Sequence, residues 1–344
     1  MDDVLPRADA GLIADLEAAD IHPLWDRYKR ITPITPKPTD PPFVWRWKDI
    51  DPYTGRAATE IAMEDAERRA LIMAHPAFGG KTQTTHNLLS AFTVLEPGDK
   101  ALPHRHTAAA IRFSTRAEGA VTIVNGRRCE MLPGDLVLTP PWCWHGHINE
   151  SDHRIVWFDA ANIPLINDLD VNFFEPGNRE GGGDNAFWEV DEGDERLWKS
   201  SGLAAEGHGH EGQISPKYRY PGAETRRMLS DMPAGKDGSK RLRYVNPQTG
   251  GAVMPTLDCY AMRLTPGNAT QPRRTSWNVI CMVVAGEGRS TIGDATVDWG
   301  VNDTFTVPHW TWATHEAVGG EADLFIVTDR EVQARLDVTR EEIG

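Results

Sequence analysis

Apolar and polar positions alternate in short runs through the middle of the chain, and glycine and proline separate these runs. Between residues 86 and 160 the runs are AFTVLEPG, AIRFSTRAEGAVTIVNG, DLVLTPP and RIVWFDA, with PG, NG and EG pairs between them. Alternation with a period of two is typical of strands that bury one face, and such pairs are typical of tight turns. The pattern predicts an antiparallel β-sandwich or barrel.

A different pattern begins the chain. Between residues 7 and 30 apolar side chains recur at helical spacing, and the proline-rich segment ITPITPKPTDPP follows. Proline cannot continue a helix, so this segment ends the helical region. We therefore expect an N-terminal helical arm. Its apolar positions are Leu12, Ile13, Leu16, Ile21 and Leu24.

The β-rich pattern occurs twice. LEPGDKALPHRHTAAAIRFSTRAEGAVTIVNG aligns with LTPGNATQPRRTSWNVICMVVAGEGRSTIGDA at an offset of 169, and GDLVLTPPWCWHGH aligns with NDTFTVPHWTWATH at an offset of 168. Agreement over two separate blocks predicts a duplicated β-domain. The matched pairs are Gly98 with Gly267, Pro103 with Pro272, Gly119 with Gly288, Pro140 with Pro308, Trp142 with Trp310, Trp144 with Trp312 and His147 with His315.

Between the two repeats the amino-acid composition changes again. The stretch GNREGGGDNAFWEVDEGDERLWKSSG is rich in glycine and charge and has little periodicity, which is typical of an irregular connection. We therefore expect an arm over residues 1–60, a first β-domain over 61–176, an irregular connector over 177–250 and a second β-domain over 251–344.

Charge narrows the possible partners. The chain of 344 residues has a formal net charge of -14 and a pI near 5.3, so we expect neither nucleic acid nor an anionic membrane as a partner. The first residues are acidic and lack a continuous apolar core, which predicts a cytoplasmic protein without a signal peptide. The four cysteines form no CxxC pair, which favours reduced thiols over disulfides or a thiolate zinc site.

The most specific chemistry lies in the first repeat. His104-Arg105-His106 follows Gly98 after five residues, and His145 follows the run PPWCW. Residues two apart on a strand point to the same face, so His104 and His106 both point into the predicted barrel, and His145 can join them from a facing strand. This spacing resembles the cupin superfamily, whose fold is a double-stranded β-helix, or jelly roll, with a metal at its mouth. Three imidazoles would leave the opposite side of a metal open for substrate and oxygen.

A second HxH pattern, His208 and His210 in GHGH, lies within the predicted connector and is a weak candidate for metal binding. The second repeat supplies an internal control, because the positions of the three histidines hold Arg273, Thr275 and Ala313. We therefore expect a metal only in the first repeat.

The first repeat departs from the pattern of many metal-binding cupins, which carry a glutamate after HxH. Here the stretch TAAAIRF has no acid and contributes Arg112 instead. A neutral three-histidine shell keeps the full charge of a divalent metal, which favours chelating anionic substrates and leaves room for dioxygen. The arginine adds a cation for a carboxylate.

Together, PHRHTAAAIRF, GDLVLTPPWCWHGH, WFDAANIPLI and the earlier PLWDRYKRITPITPKPTDPPFVWRWKDI resemble the gentisate 1,2-dioxygenase family, with its salicylate and 1-hydroxy-2-naphthoate relatives. The resemblance implies an all-β bicupin with a helical arm, usually a homotetramer. It implies an enzyme that uses Fe(II) and O2 to cleave an aromatic ring between the carboxyl-bearing and hydroxyl-bearing carbons.

By position, the resemblance also implies roles for individual residues. His104, His106 and His145 would hold iron. Arg112 would contact the substrate carboxylate or bound oxygen, and His147 would hydrogen-bond the substrate or oxygen. The remaining implied roles are a carboxylate anchor at Arg68 and a residue that supports the site at Asp159.

One stretch differs from the family. Where relatives commonly have an aromatic residue and a glutamine, the segment LLSAFT places Leu89 and Thr93, with Ala91 between them on the same face. We expect these three side chains to face the substrate ring. The 5-hydroxyl of gentisate would then lose its polar neighbour, so salicylate or a 5-substituted salicylate such as 5-nitrosalicylate competes with gentisate as the substrate.

The residues leave two other classes of protein possible. A cupin isomerase or decarboxylase using Mn, Ni or Zn would share the fold, although such sites usually have a carboxylate as fourth ligand. A non-catalytic binding bicupin would tolerate loss of ligands in both repeats, whereas this chain lacks them in one. His315 keeps its place in the second repeat without ligand neighbours, which favours a structural role.

Overall fold

The computed structural model describes residues 10–177 and 214–344. The chain forms two compact units, Met1–Lys37 and Pro38–Gly344. The first unit holds helices α1 (Ala10–Ala18) and α2 (Leu24–Ile31). Helix α2 begins after Pro23, whose fixed φ of -66° suits a helix start. The helical region predicted at the start of the chain is therefore present.

The second unit consists mainly of strands. Among the described residues, its helices are α3 (Trp47–Glu60), α4 (Met63–Ala66), a 3-10 turn (Pro76–Phe78), α5 (Ile163–Asp168), α6 (Gly222–Asp231) and α7 (Arg330–Arg335). The strands before residue 178 are β1 (Val44–Trp45), β2 (Ala70–Ile72), β3 (Leu89–Leu95), β4 (Lys100–His106), β5 (Ala110–Arg116), β6 (Ala120–Val124), β7 (Arg127–Met131), β8 (Leu136–Thr139), β9 (His145–Asn149), β10 (Ile155–Ala161) and β11 (Phe174–Pro176). The strands after residue 213 are β12 (Arg219–Tyr220), β13 (Lys240–Arg243), β14 (Asp258–Leu264), β15 (Arg273–Thr275), β16 (Val279–Ala285), β17 (Gly288–Ile292), β18 (Ala295–Trp299), β19 (Thr304–Val307), β20 (Ala313–Ala317), β21 (Ala322–Thr328) and β22 (Glu341–Ile343).

Strands β3 to β10 form a first barrel, and strands β14 to β21 form a second. In the first barrel, one sheet has the order β12-β8-β5-β10-β3-β2 and the other β11-β4-β9-β6-β7. The second barrel has the matching orders β1-β19-β16-β21-β14-β13 and β18-β17-β20-β15-β22. The paired strands in both barrels run antiparallel. The predicted all-β bicupin with two double-stranded β-helix domains is confirmed.

The two repeats exchange their leading strands. Strand β1 precedes the first barrel but pairs with β19 of the second, and β12 precedes the second barrel but pairs with β8 of the first. In each exchange, an aspartate of the barrel that receives the strand accepts a hydrogen bond from the first backbone N–H of the helix that follows the strand. Asp303 Oδ1 accepts a 2.7 Å hydrogen bond from the backbone N–H of Trp47, and Asp135 Oδ1 accepts one of 2.7 Å from Gly222.

The larger sheets of the two barrels pack against each other and form the main hydrophobic core. The rings of Phe113 and Phe325 stack there with centroids 4.1 Å apart. On β3, Phe92 and Val94 point into this core between the barrels. The residues that alternate with them, Ala91 and Thr93, therefore face the interior of the first barrel. Packing between the barrels thus sets which side chains line each barrel.

Three further expectations concern the chain as a whole. The four cysteines are free thiols, as predicted. No helix within residues 10–177 and 214–344 is long and apolar enough to cross a membrane. Of the predicted connector, residues 214–250 carry β12, α6 and β13, whereas His208 and His210 lie outside the described residues. The boundaries at residues 60, 176 and 250 stay predictions.

Candidate metal centre

The three predicted ligand histidines meet at the mouth of the first barrel. His104 and His106 lie two residues apart on β4, and the sheet register places His104 opposite His145 on β9. The ring centroids of His104 and His145 are 4.4 Å apart, and those of His106 and His145 are 4.9 Å apart. One nitrogen from each ring lies within 4.8 Å of the others.

Backbone carbonyls orient all three rings. Each Nδ1 lies near a carbonyl oxygen two residues away along the chain. Because a carbonyl can only accept, the Nδ1 of His106 and that of His145 carry the proton, whereas the Nδ1 of His104 is shared between Leu102 O and a guanidinium nitrogen of Arg68. The Nε2 of His106 and that of His145 then keep their lone pairs, the arrangement typical of metal-binding histidines. The Nδ1–O distances are 3.2 Å from His104 to Leu102, 2.8 Å from His106 to Ala108 and 2.9 Å from His145 to Cys143.

Electrostatics keep the three imidazoles neutral. Burial, and then the charge of Arg68, lower the pKa of His104 to about 2 and that of His106 to about 4. Burial and the charge of Arg112 hold the pKa of His145 well below its usual value. His145 Nε2 is buried and has no hydrogen-bond partner among the described residues. A divalent metal would satisfy it, so the triad fits such an ion.

Arg68 lies directly against His104. Its guanidinium nitrogens are 2.5 Å from His104 Nε2 and 3.0 Å from His104 Nδ1. Burial and the neighbouring charge of Arg112 lower the pKa of Arg68 to about 9, which leaves it protonated at neutral pH. The structure therefore brings Arg68 into the site.

Arg112 lies on β5 in the barrel interior and is held by two neighbouring strands. It donates to Thr139 Oγ1 on β8, and its Nε is 3.6 Å from Asp159 Oδ1 on β10. Asp159 in turn accepts hydrogen bonds of 2.5 Å from Thr93 Oγ1 and 2.9 Å from Trp157 Nε1. Burial raises the pKa of Asp159, although the charge of Arg112 and these two hydrogen bonds act in the opposite direction.

His147 lies two residues after His145, with the ring centroids 5.9 Å apart. Its Nδ1 is 2.9 Å from Thr122 Oγ1. Its Nε2 is buried and lacks a hydrogen-bond partner in the part of the chain that the structure describes. Burial, followed by the charge of Arg112, keeps the pKa of His147 well below its usual value. The neutral ring thus has one nitrogen available.

Leu89, Ala91 and Thr93 are buried and lie on the inward face of β3. The register places Ala91 opposite Asp159. Because the Thr93 hydroxyl donates its proton to Asp159, it cannot also donate to a ligand. The surface formed by these three side chains, here called the β3 wall, is therefore more apolar than the sequence indicates.

Sequence reasoning missed four residues that hold the site together. Thr139 and Trp157 bind the ion pair of Arg112 and Asp159, and Thr122 orients His147. The Phe174 ring lies 5.1 Å from the ring of His104. Only Trp157 had a local signal, since it precedes Asp159 by two residues on one strand. The others reach the site through pairing between strands distant in sequence.

The second barrel presents other side chains at the positions that match the triad. Arg273 pairs with Ala313 in the register that joins His104 to His145 in the first barrel. Within the described ranges, the triad is the one group of His, Cys, Asp or Glu side chains placed to hold a metal.

Comparison with known proteins agrees with the fold and the site. A cupin domain model matches residues 91–161. The chain is 32% identical to gentisate 1,2 dioxygenase 1 of Aquipseudomonas alcaligenes, over 95% of this chain and 94% of that protein. It is 34% identical to 5-aminosalicylate 1,2-dioxygenase of Comamonas sp, over 95% of this chain and 88% of that protein.

A crystal structure of salicylate 1,2-dioxygenase from Pseudoaminobacter salicylatoxidans with gentisate matches with a TM-score of 0.92. The identity to that protein is 32%, and the match covers 100% of this chain and 97% of the other. Because sequence and fold agree along nearly the whole length, the chain belongs to the gentisate and salicylate 1,2-dioxygenase family of ring-cleaving enzymes.

Proposed function

We propose that this dioxygenase uses Fe(II) and O2 to open the ring of a 2-hydroxybenzoate between the carboxyl-bearing and hydroxyl-bearing carbons. The observation that carries the proposal is a neutral three-histidine triad beside a buried arginine, Arg112, and a partly buried one, Arg68. Neutral ligands leave the full charge of a divalent metal to attract an anion, and the arginines add to it. Bound iron would supply the redox-active centre that chelates the substrate oxygens and activates dioxygen.

Arg112 and Arg68 give the site its preference for an acidic substrate. Arg112 is fixed by Thr139 and Asp159, so its guanidinium fork needs little reorganisation to meet a carboxylate. Arg68 now donates to His104 Nε2, the atom proposed to bind iron. One lone pair cannot serve both, so with a metal held by His104 the Arg68 guanidinium would be available for the substrate carboxylate.

His147 and the β3 wall complete the proposed pocket. The free Nε2 of His147 supports a hydrogen bond to the substrate or to oxygen, beside the iron ligand His145. Leu89, Ala91 and Thr93 would face the ring, and their apolar character excludes water from it.

The two other functions considered, a metal-dependent isomerase or decarboxylase and a non-catalytic binding bicupin, have less support. An isomerase or decarboxylase of this fold would usually add a carboxylate ligand, and no Asp or Glu joins the triad within the described residues. A binding bicupin would not need neutral ligand imidazoles beside two cations. The resemblance to homotetrameric relatives supports the same assembly here, which analytical ultracentrifugation measures.

Oxygen uptake tests the proposal. Metal-free protein is loaded separately with Fe(II), Mn(II), Ni(II) or Zn(II) and given salicylate, gentisate or 5-substituted salicylates. We expect one O2 consumed per substrate with Fe(II), together with a ring-opened product carrying two carboxylates. Release of CO2 without oxygen uptake would identify a decarboxylase, and binding without turnover would identify a binding protein.

A further inference from the structure

The interior of the second barrel holds a cavity of about 380 Å³. A cavity of this size accommodates a small organic molecule. Its polar lining includes Arg241, Arg273 and His315, and its apolar lining includes Trp277, Val307 and Ile326. It occupies the place in the second barrel that the metal centre occupies in the first.

The groups that serve metal chemistry in the first barrel are absent at the matching positions of this cavity. The register that pairs Arg112 with Asp159 pairs Cys281 with Ile326 here, and Ala313 stands in place of His145. The cavity therefore lacks the triad and the buried ion pair. A cation nevertheless remains, because β13 flanks β14 as β2 flanks β3 and brings Arg241 to the interior.

Arg241 differs from the other arginines around the cavity. Arg243 is paired with Asp258 at 2.9 Å, and Arg273 with Glu341 at 2.8 Å. Among residues 10–177 and 214–344, Arg241 has no carboxylate within 4.0 Å, and its Nε donates a 3.3 Å hydrogen bond to Ser239 Oγ, while the carboxylates of Asp237 and Glu341 act on it from farther away. Because no carboxylate contacts this partly buried cation directly, it can bind an anion that enters the cavity.

His315 supplies a second donor. Trp299 Nε1 donates to Ser290 Oγ at 2.8 Å, and Ser290 Oγ lies 2.7 Å from His315 Nδ1. In the Nε2–H form of the ring, Ser290 donates its hydroxyl proton to His315 Nδ1, and Nε2 carries the proton that can be donated to a ligand. Burial and the charge of Arg241 lower the pKa of His315 to about 3, so the ring is neutral. A neutral N–H and a guanidinium together match a carboxylate.

We propose that the second barrel is a metal-free binding site for a small organic acid, with one carboxylate on an apolar body of ring size. Arg241 binds the carboxylate, His315 donates a second hydrogen bond, and Trp277, Val307 and Ile326 surround the body. The site is independent of iron in the first barrel. Aromatic acids and unsaturated acyclic acids share this chemistry, and the probes below separate them.

Binding stoichiometry tests the site in solution. Equilibrium dialysis of the full-length protein against radiolabelled benzoate, and separately against radiolabelled sorbate, an unsaturated acyclic acid with one carboxylate, counts sites per chain. We expect Arg241→Met to remove one site per chain or to raise its Kd at least tenfold, and Arg241→Lys to retain weakened binding. Lys240→Met, on the same strand but not in the cavity lining, should match the unchanged protein. Tighter binding of benzoate or of sorbate identifies the class of acid.

Crystals soaked with 4-bromobenzoate locate the site directly. Anomalous scattering should place bromine inside the second barrel, and Ala313→Leu, which fills the cavity from another strand, should remove it. Ala313→Leu also serves in dialysis if Arg241→Met does not fold. Unchanged stoichiometry in both variants, or no bromine in the second barrel, would overturn the proposal.

Discussion

Arg112 and Asp159 lie opposite each other on neighbouring strands of the first barrel, with Arg112 Nε 3.6 Å from Asp159 Oδ1. Both side chains are within the barrel interior, and Thr93 and Trp157 fix the carboxylate. The aspartate therefore balances the charge of a buried arginine and, with Thr139, holds its guanidinium in place.

Removing this carboxylate should destabilise the fold. Asp159→Ala leaves the Arg112 charge buried without its partner, which costs about 3 kcal/mol of the free energy of unfolding. Thr93→Val loses one hydrogen bond to the same carboxylate and should cost about 1–2 kcal/mol. Urea denaturation measures both. If Asp159→Ala lowers the free energy of unfolding by no more than Thr93→Val does, Asp159 is not the group that balances the charge of Arg112.

Arg112 should matter for turnover more than for metal binding. Arg112→Lys keeps the charge but loses the planar fork, so we expect kcat/KM to fall at least tenfold, about the effect of one lost charge-assisted contact. Metal content should be unchanged. Arg116→Lys, at the exposed end of the same strand, is the matched control and should keep full activity. Equal activity of the two variants would place Arg112 outside the site.

Metal binding should depend on the triad of the first barrel alone. His104→Ala or His145→Ala removes one of three convergent ligands, so we expect metal content measured by plasma mass spectrometry to fall from one per chain to near zero. His315→Gln should retain one metal, and Ala313→His should not create a second site because Arg273 and Thr275 supply no ligands beside it. Stoichiometric metal in His104→Ala would contradict the assignment.

Substrate choice should follow the β3 wall. The Thr93 hydroxyl donates its proton to Asp159, so the wall offers no donor to the oxygen of a 5-hydroxyl, and leaving that oxygen buried without a donor costs about 1–3 kcal/mol. We therefore expect kcat/KM for 5-nitro- or 5-chlorosalicylate to exceed that for gentisate about tenfold. Both constants are measured on one iron-loaded preparation. A clear preference for gentisate would show that another surface recognises the 5-position.

The exchanged strands should make the two barrels unfold together. Each barrel contains the leading strand of the other repeat, so calorimetry should show one transition with equal calorimetric and van't Hoff enthalpies. Asp303→Ala, which removes the helix cap at Trp47, should lower the free energy of unfolding by about 1–2 kcal/mol. Asp298→Ala, which removes an exposed pair with Arg289, should cost less than about 1 kcal/mol. Two separate transitions would contradict this coupling.

The local pattern of apolar and polar residues in the sequence determined the strands, the two repeats and part of the metal centre. Alternation with a period of two and turn residues predicted the strands, and the constant offset between repeats predicted two equivalent barrels. The same alternation placed His104 and His106 on one face, because that relation depends only on two neighbouring positions. The offset likewise showed that the second repeat lacks the ligands.

Tertiary structure decided what no short stretch could specify. Strands β1 and β12 are two residues long and carry no periodicity, so their exchange depends on which barrel offers a free sheet edge. Thr139 and Thr122 reach Arg112 and His147 only through the sheet register. Arg241 and His315 share a cavity because β13 and β20 close the same barrel. These contacts join residues far apart in sequence, and only packing of the whole chain brings them together.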